Sequence, residues 1–365
     1  MGRWPLSVNA ALIWLTWPGL VLVLTACAQA RHDGPVSDHF DGREFHNAEP
    51  FPHRFSDLLG YIFKRDKIEW PRDESLPPVP LPPARVGPGE LRLTWINHAT
   101  VLMQADGLNL LSDPIWSERA SPVSFLGPLR HHPPALAYES LPSIDVVMIS
   151  HSHYDHMDFA TLEKLRRDHD PLFVVPLGNR VLLAPLGIRR VVELDWWQGT
   201  TLANGCRLSA VPVQHWSNRR VLPSDRNLSL WAGFVLETAG GPLYFGGDSG
   251  YNDHYRQTRE RFGPMRAALL PIGAYLPRWF MAYQHMGPVE AVRAHRDLES
   301  AFSLGIHWGA FKLSEEGRFQ AVEELPAARR SQGVGADEFV APALGAGYDV
   351  PPLPGYGEDR ACGDH

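Results

Sequence analysis

The chain has 365 residues, of which 44% are hydrophobic and 21% charged, which is enough to bury one large core or two modest ones. Its formal net charge of −7 argues against nucleic-acid binding, because no excess positive field is available to hold a phosphate backbone. The three cysteines exclude a disulfide scaffold and a thiolate zinc site. The 17 histidines instead direct attention to metal binding, since imidazole is the commonest metal ligand near neutral pH.

Residues 1–26 are predicted to be an export signal rather than part of the fold. Arg3 precedes an apolar stretch from Ala10 to Ala26 that is too short for a membrane span. The end of this stretch, Leu24-Thr25-Ala26-Cys27, resembles the lipobox of bacterial lipoproteins, which implies cleavage before Cys27 and attachment of a lipid anchor to its sulfur. An uncleaved hydrophobic anchor is the alternative. The lipoprotein interpretation predicts an exported protein on the periplasmic side of a bacterial membrane, with the outer membrane favoured.

Residues 27–90 are predicted to form an arm that precedes the main domain. Prolines between Leu76 and Pro88 indicate an extended connector. Before it, apolar side chains recur at helical spacing and predict a short amphipathic helix, which either lies on a bilayer or docks on its own domain. Its apolar face would consist of Phe55, Leu58, Leu59, Ile62 and Phe63.

From Leu91 onward, short apolar runs separated by turn residues predict many strands and a few helices. Helices are predicted after Asp158, as the N-cap, and over Pro288 to Glu299. This pattern, without repeats or a second linker, predicts a single α/β sandwich domain over 91–345 and a loosely held tail over 346–365. The predicted strands are Leu91 to Trp95, Thr100 to Gln104, Leu108 to Ser112, Val146 to Ile149, Phe173 to Val175, Val191 to Leu194, Leu208 to Val213, Trp231 to Glu237, Leu243 to Phe245, Ala267 to Pro271 and Ser303 to Ile306.

A histidine-rich segment, His151-Ser152-His153-Tyr154-Asp155-His156, directly follows a strand predicted to be buried. Extended residues two apart project to the same side, so His151 and His153 can bind one cation. Asp155 and His156 can reach a second cation where the chain turns toward the helix. Three further candidate ligands follow predicted strands and should converge on the same sheet edge: His215, Asp248 and His307.

This pattern resembles the metallo-β-lactamase superfamily, whose signature is HxHxDH followed by a later His, Asp and His. The resemblance covers roughly Leu91 to Gly345 and implies an αββα sandwich with two Zn²⁺ ions at its edge. It further implies that one zinc is bound by His151, His153 and His215, that the other is bound by Asp155, His156 and His307, and that Asp248 bridges them.

The charge of such a centre favours an anionic substrate. Two divalent cations, two aspartates and a bridging hydroxide leave a net charge of about +1 among neutral imidazoles. Two metals can also clamp a phosphodiester and lower the pKa of water toward about 7. Neutral lactones are chemically possible as well.

Several shorter motifs resemble N-acylphosphatidylethanolamine-hydrolysing phospholipase D. That family implies attack of a zinc-bridging hydroxide on the phosphate, which releases an N-acylethanolamine and leaves phosphatidic acid. Two departures, Asn97 where many relatives have Gly and Asn218 where the mammalian enzyme has Lys, bear on the headgroup contacts. The matching motifs are Asn97-His98-Ala99-Thr100, Leu111-Ser112-Asp113-Pro114, ERASP at 118–122, Gln214-His215-Trp216, Gly247-Asp248-Ser249-Gly250-Tyr251, RWFMAYQH at 278–285 and His307-Trp308-Gly309.

The predicted catalytic residues are Asp155, Asp248 and His285, the last of which would hold a phosphate oxygen or protonate the departing alkoxide. Asp113 and His98 are candidates for orienting the metal ligands. Each supporting residue also has a structural alternative, such as a loop brace or a place in the core. The predicted substrate-binding residues are Gln284, Trp279, Phe280, Met281 and Arg219.

The sequence therefore predicts a membrane-anchored, zinc-dependent phosphodiesterase of the phospholipase D type, with N-acylphosphatidylethanolamine-like membrane phospholipids as substrates. One alternative is a metallo-hydrolase of another ester, such as a lactone or a cyclic phosphodiester. A second is a lipoprotein that binds a ligand on the same fold without catalysis, although all seven ligand positions are filled.

Overall fold

The computed structural model describes residues 30–53, 57, 60, 68–220, 225–356 and 362. The predicted signal segment, Cys27 and the apolar face of the predicted amphipathic helix lie outside these residues. Within the described part, no helix combines the length and apolar character that crossing a membrane requires.

Two seven-stranded sheets form the centre of the fold. The first contains β1 (Leu91–Asn97), β2 (Thr100–Ala105), β3 (Leu108–Ser112), β4 (Val146–Met148), β5 (Leu172–Pro176), β6 (Val191–Leu194) and β14 (Gly347–Asp349). Its order is β14-β1-β2-β3-β4-β5-β6. Pairing is antiparallel from β14 to β3 and parallel from β3 to β6, so β3 to β6 end at one edge.

The second sheet mirrors this arrangement. It contains β7 (Gly199–Thr201), β8 (Arg207–Val211), β9 (Gly233–Thr238), β10 (Gly241–Phe245), β11 (Ala267–Pro271), β12 (Ser303–Ile306) and β13 (Phe339–Val340). Its order is β13-β12-β11-β10-β9-β8-β7. The β7–β10 pairs are antiparallel and the β10–β13 pairs parallel.

Alternating side chains on the strands create three apolar layers. Val146 and Met148 of β4 face the core between the sheets, whereas Val147 faces the outer side of the first sheet. Leu243 of β10 likewise faces inward and Tyr244 outward. This period of two requires helices on both outer faces, and the structure confirms the predicted αββα sandwich.

The helices cover these outer faces. Leu162 and Leu165 pack on the first sheet, whereas Ala291, Val292 and Leu325 pack on the second. The helices are α1 (Phe159–His169), α2 (Arg180–Leu183), α3 (His254–Phe262), α4 (Arg278–Met281), α5 (Pro288–Asp297) and α6 (Gln320–Gln332), with 3-10 turns at Tyr138–Ser140 and Ala184–Leu186.

Asp158 precedes α1 as predicted but does not cap it through its side chain. Its carboxylate instead accepts hydrogen bonds from the hydroxyls of Ser117, at 2.8 Å, and Thr161, at 2.6 Å. The side chain therefore ties the loop after β3 to the helix, and the expectation of an N-cap hydrogen bond is corrected.

The predicted loose tail is corrected in its first part. Gly347–Asp349 forms β14 and pairs with β1, and the buried Arg266 donates to the carbonyls of Val350 and Pro351. Cys362 forms a disulfide with Cys206. Backbone pairing and a buried guanidinium hold this segment, so its richness in Gly and Pro did not reveal its order.

The N-terminal arm packs against the main domain. Phe40 and Phe45 are buried with Trp231. His39 Nε2 lies 2.7 Å from Asp195 Oδ1, and Asn47 Nδ2 donates to the carbonyl of His215 at 2.7 Å. The arm therefore reaches the segment that carries a predicted metal ligand.

Candidate metal centre

The predicted ligands meet where strands of both sheets end. His151 lies three residues after β4, in the first sheet, and His307 directly follows β12, in the second. His215 follows β8 and Asp248 follows β10, and their segments are joined by a β-bridge between Gln214 and Gly250. The carboxyl ends of these strands therefore converge on one edge of the sandwich.

The side chains form two adjoining groups. In the first, His153 Nδ1 lies 2.8 Å from His151 Nε2 and 3.3 Å from His215 Nε2. In the second, Asp155 Oδ2 lies 3.2 Å from His156 Nε2 and 3.4 Å from His307 Nε2. These groups match the two ligand sets that the superfamily resemblance implies.

Asp248 lies between the two groups. Its Oδ2 is 3.7 Å from His215 Nε2 and 4.0 Å from His151 Nε2 in the first group. The same oxygen is 3.2 Å from His156 Nε2 in the second group, and Oδ1 is 3.1 Å from His307 Nε2. The carboxylate is therefore placed to bridge two cations.

The donor set fits divalent metal ions. Ligand atoms at about 2.0–2.2 Å from a tetrahedral zinc are separated by about 3.3–3.6 Å, close to most of the observed distances. His156 Nε2, His307 Nε2 and Asp248 Oδ1 are buried and have no hydrogen-bond partner among the described residues. Buried polar atoms without partners are costly, and bound cations would satisfy them.

The charges of the buried groups also favour bound cations at this site. Burial opposes ionisation of Asp155 and Asp248, but the surrounding histidines, His156 first, hold the pKa of both carboxyls well below the usual value. Burial likewise disfavours a charged His307, yet Asp248 and Asp155 raise its pKa to about 9. Asp155 and Asp248 are therefore ionised and buried, so their negative charge must be balanced nearby. Either protons on the histidines or metal cations can supply the positive charge.

The first group has the protonation state that metal ligands need. Burial lowers the pKa of His153 to about 4 and that of His215 to about 3, and it also lowers the pKa of His151. Their rings are therefore neutral near pH 7 and can offer a lone pair to a metal without first losing a proton.

Asp113 and His98 hold the ligands in place. Asp113 Oδ2 lies 2.6 Å from His156 Nδ1 and accepts the hydroxyl proton of Ser150 at 2.6 Å. His98 Nε2 lies 2.9 Å from Asp155 Oδ2. Such contacts fix the orientation and tautomer of metal-binding groups.

The backbone around the centre adopts unusual conformations. His98, Asp113 and His307 have positive φ angles of 44°, 32° and 64°, which L-residues adopt at an energetic cost. Gly247 also has a positive φ, and a Cβ there would lie 2.5 Å from Ser150 Cβ. Glycine is therefore required beside Asp248, because the two loops approach closely at this point.

A cavity of about 510 Å³ opens onto the metal ligands. Besides three candidate metal ligands, the predicted residues Phe280, Met281, Gln284 and His285 line it, whereas Trp279 is 55% exposed. His285 Nδ1 lies 3.9 Å from Asp248 Oδ2. The full lining is Phe51, His53, Ala120, His153, Tyr154, Asp155, Trp216, Arg226, Asp248, Phe280, Met281, Gln284, His285 and Leu313.

Arg219 does not line this cavity but a neighbouring one that shares Tyr154 with it, so its role in substrate binding stays a prediction. It is buried and donates from Nη1 to the carbonyls of Ser152 and Met157. Its guanidinium also lies 4.0 Å from the ring centre of Tyr154 and 3.9 Å from that of Phe159. Arg219 therefore braces the loop that carries the histidine motif.

Some cavity residues were not predicted. Phe51 and His53 belong to the arm, which the sequence predicts to precede the main domain, and Arg226 and Leu313 lie outside the matched motifs. Contacts between segments this distant in the chain leave no local pattern in the sequence.

Comparison with known proteins places the chain in a family. A model described as "Beta-lactamase superfamily domain" matches residues 108–308. The chain belongs to this superfamily. It is a metal-dependent hydrolase of that superfamily with a candidate His and Asp metal cluster, and the predicted resemblance is confirmed.

Superfamily members of several kinds resemble the chain. An uncharacterised protein of Mycobacterium tuberculosis is 39% identical over 265 residues, which cover 70% of each chain. N-acyl-phosphatidylethanolamine-hydrolyzing phospholipase D 1 of Caenorhabditis elegans is 38% identical over 230 residues, 60% of this chain and 64% of that protein. The solved structure of a metallo hydrolase from Ignicoccus hospitalis aligns over 71% of this chain and 98% of its own, with a TM-score of 0.53 and 18% identity. This last likeness concerns the fold.

Proposed function

We propose that this superfamily member is a dinuclear zinc phosphodiesterase of the phospholipase D type that hydrolyses N-acylphosphatidylethanolamine-like phospholipids. The observation that carries the proposal is the cavity that joins two groups of metal-binding side chains to an apolar wall of Phe280, Met281 and Leu313. A phospholipid has the matching chemistry, with an anionic phosphodiester next to acyl chains. The similarity to the phospholipase D of Caenorhabditis elegans supports this substrate class.

In the proposed reaction, one water molecule is added across the bond between phosphorus and the ethanolamine oxygen. The N-acylethanolamine leaves as an alcohol, and phosphatidic acid remains. Two zinc ions held by this ligand set would activate water and polarise the phosphate. Asp113 and His98 keep His156 and Asp155 oriented toward that site.

His285 has a defined part in this proposal. It is buried at the cavity wall, and burial lowers its pKa to about 3, so the ring is neutral near pH 7. A neutral imidazole donates one N–H. We assign His285 to hydrogen bonding with a phosphate oxygen rather than to proton donation.

We also propose that the protein is exported and anchored at a membrane surface through Cys27. Disulfides persist in oxidising compartments, and the disulfide between Cys206 and Cys362 supports such a location. An anchor would concentrate the enzyme near a lipid substrate.

The test combines metal analysis with a substrate screen. Purified protein is reconstituted with zinc, its metal content is measured, and turnover is assayed with N-acylphosphatidylethanolamine, a cyclic phosphodiester and a lactone panel. We expect two zinc ions per chain and release of N-acylethanolamine. Turnover of lactones alone would contradict the proposed substrate.

A substitution of the bridging residue separates catalysis from folding. Asp248→Asn is expected to reduce turnover to background and lower the zinc content, because a neutral amide with one oxygen replaces the carboxylate that lies between both groups. Far-UV circular dichroism should stay nearly unchanged, since the apolar core lies elsewhere. Asp337→Asn, at an exposed position, is the matched control and should retain wild-type activity. A fully active Asp248→Asn enzyme would contradict the assignment.

A further inference from the structure

Arg226 stands out among the residues that line the cavity. Its guanidinium carbon lies 4.8 Å from the ring centre of Phe51 and 4.9 Å from that of Trp216. Trp216 in turn contacts the metal-ligand candidate His153, with ring centres 4.3 Å apart. The cation is thus held between two aromatic rings, one of which touches the metal centre.

The backbone on both sides of Arg226 is fixed. Asp225 is buried and accepts the backbone N–H of Arg220 at 3.0 Å. The backbone N–H of Asn227 donates to the carbonyl of Ser217 at 2.9 Å. Arg226 therefore projects from a segment anchored at its two neighbours, which limits the positions that its side chain can adopt.

This guanidinium lacks a close counter-charge. Among the described residues, no carboxylate oxygen lies within 4.0 Å of it and none accepts its hydrogen bonds. Glu44 acts on it only from a greater distance. Aromatic faces attract a cation but supply no acceptor for its N–H groups. Burial around Arg226 also lowers its pKa, so the surroundings on their own disfavour the charge.

We infer that Arg226 is a specificity-determining residue that binds the anionic phosphate of the substrate. An arginine fork offers two parallel N–H donors to phosphate oxygens, and the cavity places this fork on the same surface as the metal ligands. The inference rests on the proposed function and extends it, because Arg226 would distinguish a phosphodiester from a neutral ester of similar shape.

Binding of a soluble product tests this role independently of turnover. Zinc-loaded wild-type protein, Arg226→Gln and Arg226→Lys are titrated with dihexanoyl phosphatidic acid by calorimetry. Arg226→Gln should bind phosphatidic acid about 10- to 100-fold more weakly than wild type, because it loses a charged hydrogen bond. Arg226→Lys should bind with intermediate affinity, because it keeps the charge but loses the fork. Arg167→Gln, on an exposed arginine of α1, is the control and should bind like wild type.

Kinetics provide a second readout. With N-acylphosphatidylethanolamine, Arg226→Gln should raise KM more than it lowers kcat, and Arg226→Lys should recover part of the difference. Equal phosphatidate affinity in wild type and Arg226→Gln would overturn the inference, as would a wild type that does not bind phosphatidate. A wild type that binds phosphatidate through Arg226 but hydrolyses no phosphodiester would instead overturn the proposed function.

Discussion

Asp113 illustrates how a residue beyond the metal ligands controls them. It is fully buried. Its two oxygens accept hydrogen bonds from the Ser150 hydroxyl and the Ser150 backbone N–H, and one of them also lies against the His156 ring nitrogen Nδ1. Ser150 Oγ also lies 2.9 Å from His151 Nδ1. One carboxylate therefore orients a ligand of the second group directly and a ligand of the first group through Ser150.

This arrangement predicts the effect of Asp113→Asn. The neutral amide is a weaker acceptor for the His156 N–H, so zinc affinity should fall by about 10- to 100-fold. Competition with a zinc chelator measures the affinity, and Asp337→Asn again serves as control. Unchanged zinc binding would show that Asp113 only braces the loop.

At the scale of single residues, the clustering of the candidate metal ligands was predictable because most of their pattern is local. His151, His153, Asp155 and His156 lie within six positions, and the other candidate ligands lie within a few residues of the ends of apolar strands. Arg226 was not predictable in this way, because its importance depends on Phe51, 175 positions away in the sequence. A single arginine in a loop has the same appearance whether it faces water or a cavity.

At the scale of elements, the N-terminal arm carries both a titratable residue, His39, and a residue of the cavity wall, Phe51. His39 Nε2 and Nδ1 lie 2.7 Å from Asp195 and 2.5 Å from Asp38, and its ring stacks on Trp196. Burial alone would lower the pKa of His39, but hydrogen bonds to Asp195 and Asp38 raise it above 6.5. Protonated His39 therefore stabilises docking of the segment that leads to Phe51.

The raised pKa fixes the sign of the pH dependence. The contribution of His39 is fully present below its unfolded pKa of 6.5 and is lost as the pH rises through its higher folded value. The Phe45 amide donates to the carbonyl of Asn227, so its hydrogen exchange reports on docking of the arm. After correction for intrinsic rates, its protection should be about two- to fivefold lower above the folded-state pKa of His39 than below pH 6.5.

His39→Gln tests the origin of this effect. The variant should lose the pH dependence of protection, whereas His46→Gln, on an exposed histidine of the same arm, should keep it. A pH dependence that persists in His39→Gln would assign the titration to another group.

Element prediction worked where side-chain periodicity determines structure. The central strands appear as apolar runs, and β11 and β12 have the predicted bounds. In contrast, α6 contains Pro326, which obscures the helical pattern, and β14 is itself an edge strand that is held by backbone pairing with β1. Ala321, Leu325 and Ala328 of α6 still form a buried face at helical spacing, whereas β14 has no fully buried side chain that could mark it in the sequence.

At the scale of the whole molecule, the candidate centre connects the two sheets. His151 and His156 follow the first sheet, and His215, Asp248 and His307 follow the second. Apolar side chains fill the space between the sheets, but at the ligand edge this layer gives way to histidines and carboxylates. Cations bound there would cross-link the sheets at the edge where histidines and carboxylates lie among the apolar side chains.

Metal removal should therefore destabilise the whole fold. A ligand that binds only the folded state stabilises it by RT ln(1 + [L]/Kd), which is about 4 kcal/mol when the free ligand is at a thousandfold excess over Kd. Stripping zinc with a chelator should lower the unfolding temperature measured by calorimetry, and added zinc should restore it. The same treatment should have a smaller effect on Asp248→Asn, whose zinc affinity is already reduced. Equal unfolding temperatures for metal-free and zinc-loaded wild type would mean that the apolar layer alone holds the two sheets together.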